Sequence, residues 1–119
     1  DDLSEEILAA AASVGEGMWR LPLVEDYRKL LDSPIADLKN IGGRYGGTIT
    51  AGLFLREFVG EGIPWAHLDI AGPAFTEEVP DDGPKGATGF GVRTLLAFLE
   101  ARAEAAAAAD EADAEDTED

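Results

Sequence analysis

The residues best suited to chemistry lie in one short apolar stretch, residues 65–72, with the sequence WAHLDIAG. This stretch contains His67, the only histidine of the chain, and Asp69 two positions later. Because side chains two apart on a β-strand share a face, the pair suits the beginning of a metal site or a proton relay. A zinc site needs three or four ligands and a hydrolytic relay needs a nucleophile, so two residues are too few for either.

Further carboxylates are present, but their spacing in the sequence is not diagnostic of metal ligands. These candidate third partners are Asp37, Glu57, Glu77 and Glu78. The alternative interpretation is a hydrogen-bonded core histidine beside a structural carboxylate. We favour it because a functional assignment needs a whole constellation of groups. The sequence therefore identifies no catalytic residue and no metal ligand.

Residues 42–47, with the sequence GGRYGG, form a glycine-rich segment that suits an anion. They lack the Gly-Lys-Ser/Thr ending and the following acidic residue of nucleotide-binding loops. We therefore interpret them as a turn with positive-φ positions, which also lets the next helix pack closely.

Residues 86–91, with the sequence GATGFG, lead into the last helix. Backbone N–H groups at a helix start, with Lys85 and Arg93 nearby, suit a carboxylate or a phosphate. A helix entry capped by Thr88 explains the same residues. Both interpretations stay open at this stage.

The hydrophobic pattern predicts an alternation of helices and strands, which favours an α/β fold with part of a mixed β-sheet sandwiched between helices. Helices are expected at residues 2–14, 24–31 and 48–59 and from Val92 onward, and strands at 17–23, 35–41 and 65–72. A long loop is expected at residues 73–88. On the last helix the predicted buried face consists of Val92, Leu95, Leu96, Leu99 and Ala103.

The charge is strongly acidic, with a net value of −16 over 119 residues. From Glu100 onward there are nine acids and one base, so about half of the net charge lies in the last 20 residues. We divide the chain into a body at residues 1–99 and a segment at residues 100–119. The second segment ends the last helix and becomes a disordered acidic tail from Asp110. Because both segments repel phosphate backbones, we expect no nucleic-acid partner.

The chain has no cysteine, which excludes disulfides and thiolate zinc sites and fits a cytoplasmic protein. No apolar run approaches the length of a membrane span, so no membrane partner is expected. The first residues are acidic where a signal peptide would be basic, and there is no starting methionine. We expect the chain to be cut from a longer protein.

Several motifs follow one another in a recognisable order and spacing. They are GEGMWRLPL at residues 15–23 with Tyr27, SPIAD at 33–37 with Asn40, GGTITA at 46–51 with Phe54 and Leu55, WAHLDIAG at 65–72, and GATGFGVR at 86–93. Together they resemble the C-terminal part of the catalytic domain of the leucyl aminopeptidases, also called cytosol aminopeptidases. The resemblance runs from about the first helix to Leu99.

The resemblance implies a metal-dependent exopeptidase that releases N-terminal residues from peptides, preferably leucine and other apolar ones. Two divalent ions, manganese or zinc, would activate a bridging water and polarise the scissile carbonyl. The family is a cytoplasmic homo-hexamer whose catalytic domain is a mixed sheet between helices.

The family's signature, Asn-Thr-Asp-Ala-Glu-Gly-Arg, carries metal-ligand acids and the catalytic arginine, and this sequence does not contain it. What the resemblance does carry over is a pocket wall. Ala71 and Ala74 correspond to positions that line the pocket for the first side chain of the substrate. We therefore expect the 119 residues to be inactive alone and to contribute to substrate binding in a larger enzyme. The alternative is a non-catalytic interaction or oligomerisation module.

Overall fold

A computed structural model describes residues 2–78 and 85–116. It contains α1 (Asp2–Ser13), a 3-10 helix (Glu25–Leu31), α2 (Gly47–Arg56), β1 (Phe75–Thr76), β2 (Gly86–Ala87) and α3 (Val92–Asp116). The chain divides into two compact units. The first unit comprises residues 2–18, 70–78 and 85–116, and the second comprises residues 19–69.

In the first unit, α1 and α3 pack against each other through small side chains. Ile7, Ala10 and Ala11 are buried on α1, at the spacing of one helix face. A shallow groove between the two helices is lined mainly by alanines, with Phe98 and Arg102 on the α3 side. Arg102 donates two hydrogen bonds to the Glu6 carboxylate, at 2.7 and 3.2 Å.

Helix α1 ends where it does because a glycine follows it. Gly15 adopts a left-handed φ of 73°, and its N–H donates to the carbonyl of Ala12. The N–H of Glu16 donates to the carbonyl of Ala11 at 3.0 Å. This pair of bonds is the Schellman motif, which satisfies the last helix carbonyls and turns the chain away.

The face of α3 that packs on α1 is not the one predicted from the sequence. Thr94 is fully buried and Phe98 half-buried, whereas Val92, Leu95, Leu96 and Leu99 are 47–66% exposed and Ala103 is exposed as well. The prediction was wrong because it assigned the most apolar stripe to the core. On the α3 side the groove against the alanine-rich face of α1 is lined by small side chains, including Ala97 and Ala101.

In the second unit, the 3-10 helix packs on α2 around Leu31 and Leu53, which are 1% and 0% exposed. Two ion pairs join these elements at their edges. Arg56 contacts both carboxylate oxygens of Glu25 at 2.6 and 2.8 Å, and Arg28 donates to Glu57 at 2.6 Å. The sequence predicted both helices, with the first as an ordinary short helix.

The strands differ most from expectation. The mixture of helix and strand is confirmed, but in the described ranges the sheet consists of β1 and β2 alone, paired antiparallel with Phe75 opposite Ala87. Residues 17–23, 35–41 and 65–72 form no strand. A strand requires a neighbour to bond its backbone, and apolar alternation alone does not supply one. The predicted loop at residues 73–88 contains the β1–β2 hairpin, and its residues 79–84 lie outside the described part.

The acidic C-terminal segment also differs from the sequence prediction. The sequence predicted disorder from Asp110, whereas α3 continues through Asp116. Alanines 105–109 have the highest helix propensity and carry the helix onward without packing, since residues 103–114 are all exposed. Residues 117–119 are outside the described ranges. None of the helices in those ranges is long and apolar enough to cross a membrane.

Replacement of Leu53 by alanine tests the core of the second unit. The side chain is fully buried, so Leu53→Ala is expected to lower the free energy of unfolding by about 2–5 kcal/mol. Leu55→Ala, at a side chain that is 44% exposed on the same helix, is the matched control and should cost far less. Urea unfolding followed by far-UV circular dichroism measures both. Equal losses would contradict the assignment of Leu53 to the core.

Candidate functional site

The two predicted pocket residues lie in one tight turn. The N–H of Ala74 donates to the carbonyl of Ile70 at 2.9 Å, which closes the turn around Ala71. Ala71 is exposed and Ala74 is half-buried. Small methyl side chains at these two positions are compatible with a wall that faces an apolar side chain. Their role in a substrate pocket remains a prediction at this point.

Thr88 attaches this turn to the start of α3. Its N–H donates to the carbonyl of Ala74 at 2.9 Å, and its hydroxyl donates to the carbonyl of Pro73 at 2.5 Å. The hydroxyl oxygen also accepts a hydrogen bond from the N–H of Phe90 at 3.2 Å. The side chain is therefore held from both sides. The backbone of Thr88 continues the β1–β2 pairing by one residue, and Thr88 does not cap α3, which was one of the two interpretations left open from the sequence.

The group that caps α3 is the carboxylate of Glu16, which is only 6% exposed. One of its oxygens accepts from the N–H groups of Gly91 and Thr94 at 3.1 and 3.2 Å and from the hydroxyl of Thr94 at 2.6 Å. The guanidinium of Arg93 lies 3.5 Å from the other oxygen. A negative charge at a helix N-terminus also interacts favourably with the helix dipole.

These contacts change the acidity of the carboxyl. The hydroxyl of Thr94, followed by the N–H groups of Thr94 and Gly91 and the charge of Arg93, holds the pKa of Glu16 below its ordinary value, although burial opposes the shift. Glu16 is therefore ionised near neutral pH. The N–H groups that the sequence offered to an external carboxylate or phosphate are bonded to a carboxylate of the chain itself.

His67 and Asp69, the two residues of the 65–72 stretch best suited to chemistry, contact different groups. The ring of His67 stacks on Trp65 with centroids 6.4 Å apart, and it lies against Gly52 of α2. Asp69 accepts a hydrogen bond from the hydroxyl of Thr48 in the first turn of α2, at 2.5 Å. The bond of Asp69 to Thr48 is that of a structural carboxylate, whereas His67 is half-buried and is not the core histidine favoured from the sequence.

The remaining carboxylates do not complete a metal site. Glu57 pairs with Arg28, and the others, Asp37, Glu77 and Glu78, are exposed. Within residues 2–78 and 85–116, no three His, Cys, Asp or Glu side chains gather closely enough to hold a metal ion. The described residues therefore do not fit a two-metal centre by themselves.

The glycine-rich segment at residues 42–47 is a turn with positive φ at Gly43 and Gly46, as predicted. A Cβ atom at Gly42 would lie 2.9 Å from the side chain of Thr50, so the close packing expected of this segment is present as well. The Thr50 hydroxyl donates to the carbonyl of Gly47 at 3.1 Å. This segment builds the entry to α2.

Sequence reasoning missed the two groups that organise this region, Glu16 and Thr88. Glu16 is 78 positions from Thr94 and forms no local capping pattern with it. Thr88 is 15 positions from Pro73, and its hydroxyl suited a helix cap equally well. The one available signal was an acidic residue placed directly after the glycine that ends α1.

The acidity of Glu16 predicts how stability depends on pH. Because its pKa is lower in the folded state, its contribution is present above the pKa of an unfolded glutamate, about 4.3, and is lost as the pH falls through the folded value. Glu16→Gln should therefore lower Tm by several degrees near neutral pH, and the difference from wild type should shrink under more acidic conditions. Thermal melts at several pH values measure this.

Glu104→Gln is the control for that series, since Glu104 is an exposed glutamate of α3, the helix whose start Glu16 caps. Its Tm difference from wild type should stay small throughout. A Glu16→Gln difference that is constant from neutral to acidic pH would contradict the capping role of the ionised carboxylate.

Comparison with known proteins places these features in a family. A family model described as the cytosol aminopeptidase family, catalytic domain, matches residues 1–96. A probable cytosol aminopeptidase of Prochlorococcus marinus is 56% identical over 99 residues, which is 83% of this chain and 20% of the relative. The chain thus spans about a fifth of the length of the curated relatives it matches.

Solved structures agree with the sequence match. The bottromycin maturation enzyme BotP, in complex with Mn, is 50% identical with a TM-score of 0.80, over 85% of this chain and 23% of that one. A mutant of tomato leucine aminopeptidase is 44% identical with a TM-score of 0.75, over 83% of this chain and 19% of that one. Agreement of sequence and backbone over more than four-fifths of the residues shows that this chain belongs to the cytosol aminopeptidase family.

Proposed function

We propose that this chain is the C-terminal portion of the catalytic domain of a leucyl aminopeptidase, and that it forms a wall of the pocket for the first side chain of the substrate. The observation that carries the proposal is the turn of Ala71 and Ala74, which Thr88 holds within the segment matched by the family. Two small side chains at a fixed turn leave room for leucine and other apolar residues.

In this proposal the whole enzyme is a cytoplasmic homo-hexamer that hydrolyses peptides and uses two divalent ions, manganese or zinc. The complex of BotP with Mn supports the use of a divalent metal. When bound, the ions would activate water and polarise the scissile carbonyl. Because the described residues bring no three ligands together, the ligands would come from the part of the catalytic domain that corresponds to the rest of the relatives' length.

The division at Leu99 belongs to the same proposal, with residues 1–99 as the catalytic portion and residues 100–119 as the end of the last helix and an acidic tail. The exposed stripe of α3 supports a larger body in contact with this chain. Val92, Leu95, Leu96 and Leu99 present apolar side chains on one face, and such surfaces mark packing against further protein.

The same stripe is what a non-catalytic interaction or oligomerisation module would use. The reading frame upstream of Asp1 separates the two candidates. An upstream segment with the Asn-Thr-Asp-Ala-Glu-Gly-Arg signature supports the enzyme. A start codon directly before Asp1 would contradict it and favour the module.

The isolated chain provides a second test. Incubated with manganese and leucine p-nitroanilide, the isolated chain should release no p-nitroaniline above a control that contains the metal alone, because the described residues bring no set of metal ligands together. The complete aminopeptidase should hydrolyse the same substrate. Turnover by the isolated chain would contradict the proposed separation of metal ligands from pocket wall.

The pocket role of Ala74 has its own test in the complete enzyme. Ala74→Met fills space above the turn, so kcat/KM should fall by at least about ten-fold for a leucyl substrate relative to an alanyl one. Ala103→Met, at an exposed alanine in the middle of α3, should leave the ratio unchanged. An unchanged leucine-to-alanine ratio in Ala74→Met would remove Ala74 from the pocket.

A further inference from the structure

The proposed pocket wall lies in an exposed turn. Within residues 70–74 the backbone bond between Ala74 and Ile70 closes the loop, but Ala71 and Pro73 are exposed and bury little apolar surface. The β1–β2 pairing that follows is only two residues long on each strand. Short exposed pairings of this kind are marginally stable. The position of the wall therefore depends also on contacts outside the turn.

Thr88 supplies those contacts. It bonds two consecutive carbonyls of the wall, those of Pro73 and Ala74, one through its hydroxyl and one through its N–H. Two bonds from one residue to consecutive carbonyls restrict both the distance and the orientation of the two peptide units that contain them. Because the hydroxyl also accepts from the N–H of Phe90, its hydrogen is directed at Pro73.

The position of Thr88 is in turn fixed by the residues that lead into α3. Gly89 and Gly91 adopt φ values of 70° and 89°, a left-handed path that favours glycine. The N–H of Val92 donates to the carbonyl of Gly89, and the N–H of Gly91 donates to the buried carboxylate of Glu16. Hydrogen bonds and the short backbone segment of residues 88–91 therefore connect the buried carboxylate of Glu16 to the exposed wall.

The geometry points to Thr88 as a positioning residue for the substrate pocket. Its hydroxyl sets the place of the Ala71–Ala74 wall, and Glu16 supports it by fixing the start of α3. This inference rests on the proposed aminopeptidase function. It concerns specificity, since a displaced wall weakens the fit of a side chain that fills the pocket more than the fit of a methyl group that does not reach it.

Two substitutions at Thr88 test the inference in the complete, metal-loaded enzyme. Thr88→Val keeps the shape and removes the hydroxyl, whereas Thr88→Ser keeps the hydroxyl. With leucyl and alanyl p-nitroanilides, Thr88→Val should lower the leucine-to-alanine ratio of kcat/KM by at least about ten-fold, mainly through a higher KM for the leucyl substrate. Thr88→Ser should stay within about two-fold of wild type.

The control is Glu6→Gln, which weakens the ion pair with Arg102 on the same two helices and touches neither Thr88 nor the wall. It should leave the ratio unchanged. Equal losses for both substrates in Thr88→Val, or a Thr88→Ser variant that behaves like Thr88→Val, would reduce Thr88 to a general structural role and overturn the inference.

Hydrogen exchange measured by mass spectrometry separates this inference from the proposed function. Thr88→Val should speed exchange in peptides that cover residues 70–78, while Thr88→Ser and Glu6→Gln should not. A wild-type enzyme without turnover would overturn the aminopeptidase function and the pocket role with it, although faster exchange would still show that Thr88 holds the turn. Unchanged hydrogen exchange in these peptides of Thr88→Val would show that the Thr88 hydroxyl does not hold the turn, and would overturn the inference.

Discussion

The carboxylate of Glu16 is the contact on which the first unit depends. The Schellman turn at Gly15 places it at the end of α1, and three donors from the start of α3 converge on one of its oxygens. A buried carboxylate without such donors would be costly, whereas here its main partners come from Gly91 and Thr94. The contact joins the end of one helix to the beginning of the other, so the two helices run antiparallel.

The consequences of this contact extend to the exposed surface. Because Glu16 fixes the start of α3, the segment before α3 has a defined path, and Thr88 lies where it can bond the carbonyls of Pro73 and Ala74. The proposed pocket wall is thus supported by the helix pair as well as by the bond that closes its own turn. This arrangement suits a binding site, since precise positioning of a substrate requires groups that are themselves held by packing and hydrogen bonds.

The sequence predicted the features that depend on local pattern. Helices α1 and α2, the stop at Gly15 and the positive-φ turn before α2 all follow from periodicity and glycine placement over a few residues. Features that depend on distant partners were not predictable in this way. The strand at residues 65–72 lacks a described neighbour to pair with, α3 packs on α1 through alanines and not through its leucines, and Glu16 meets Thr94 across 78 positions. For the site, the motifs identified the family, and the resemblance predicts the wall residues, but neither indicated the groups that hold the turn.

The most direct test of the central claim is a crystal structure of the proposed complete aminopeptidase bound to an inhibitor that carries a leucine side chain. The account predicts that the isobutyl group lies within about 4.5 Å of the methyl groups of Ala71 and Ala74. It also predicts that all metal ligands come from outside residues 1–119. An isobutyl group bound elsewhere, or a carboxylate of this chain bound to a metal ion, would contradict the account.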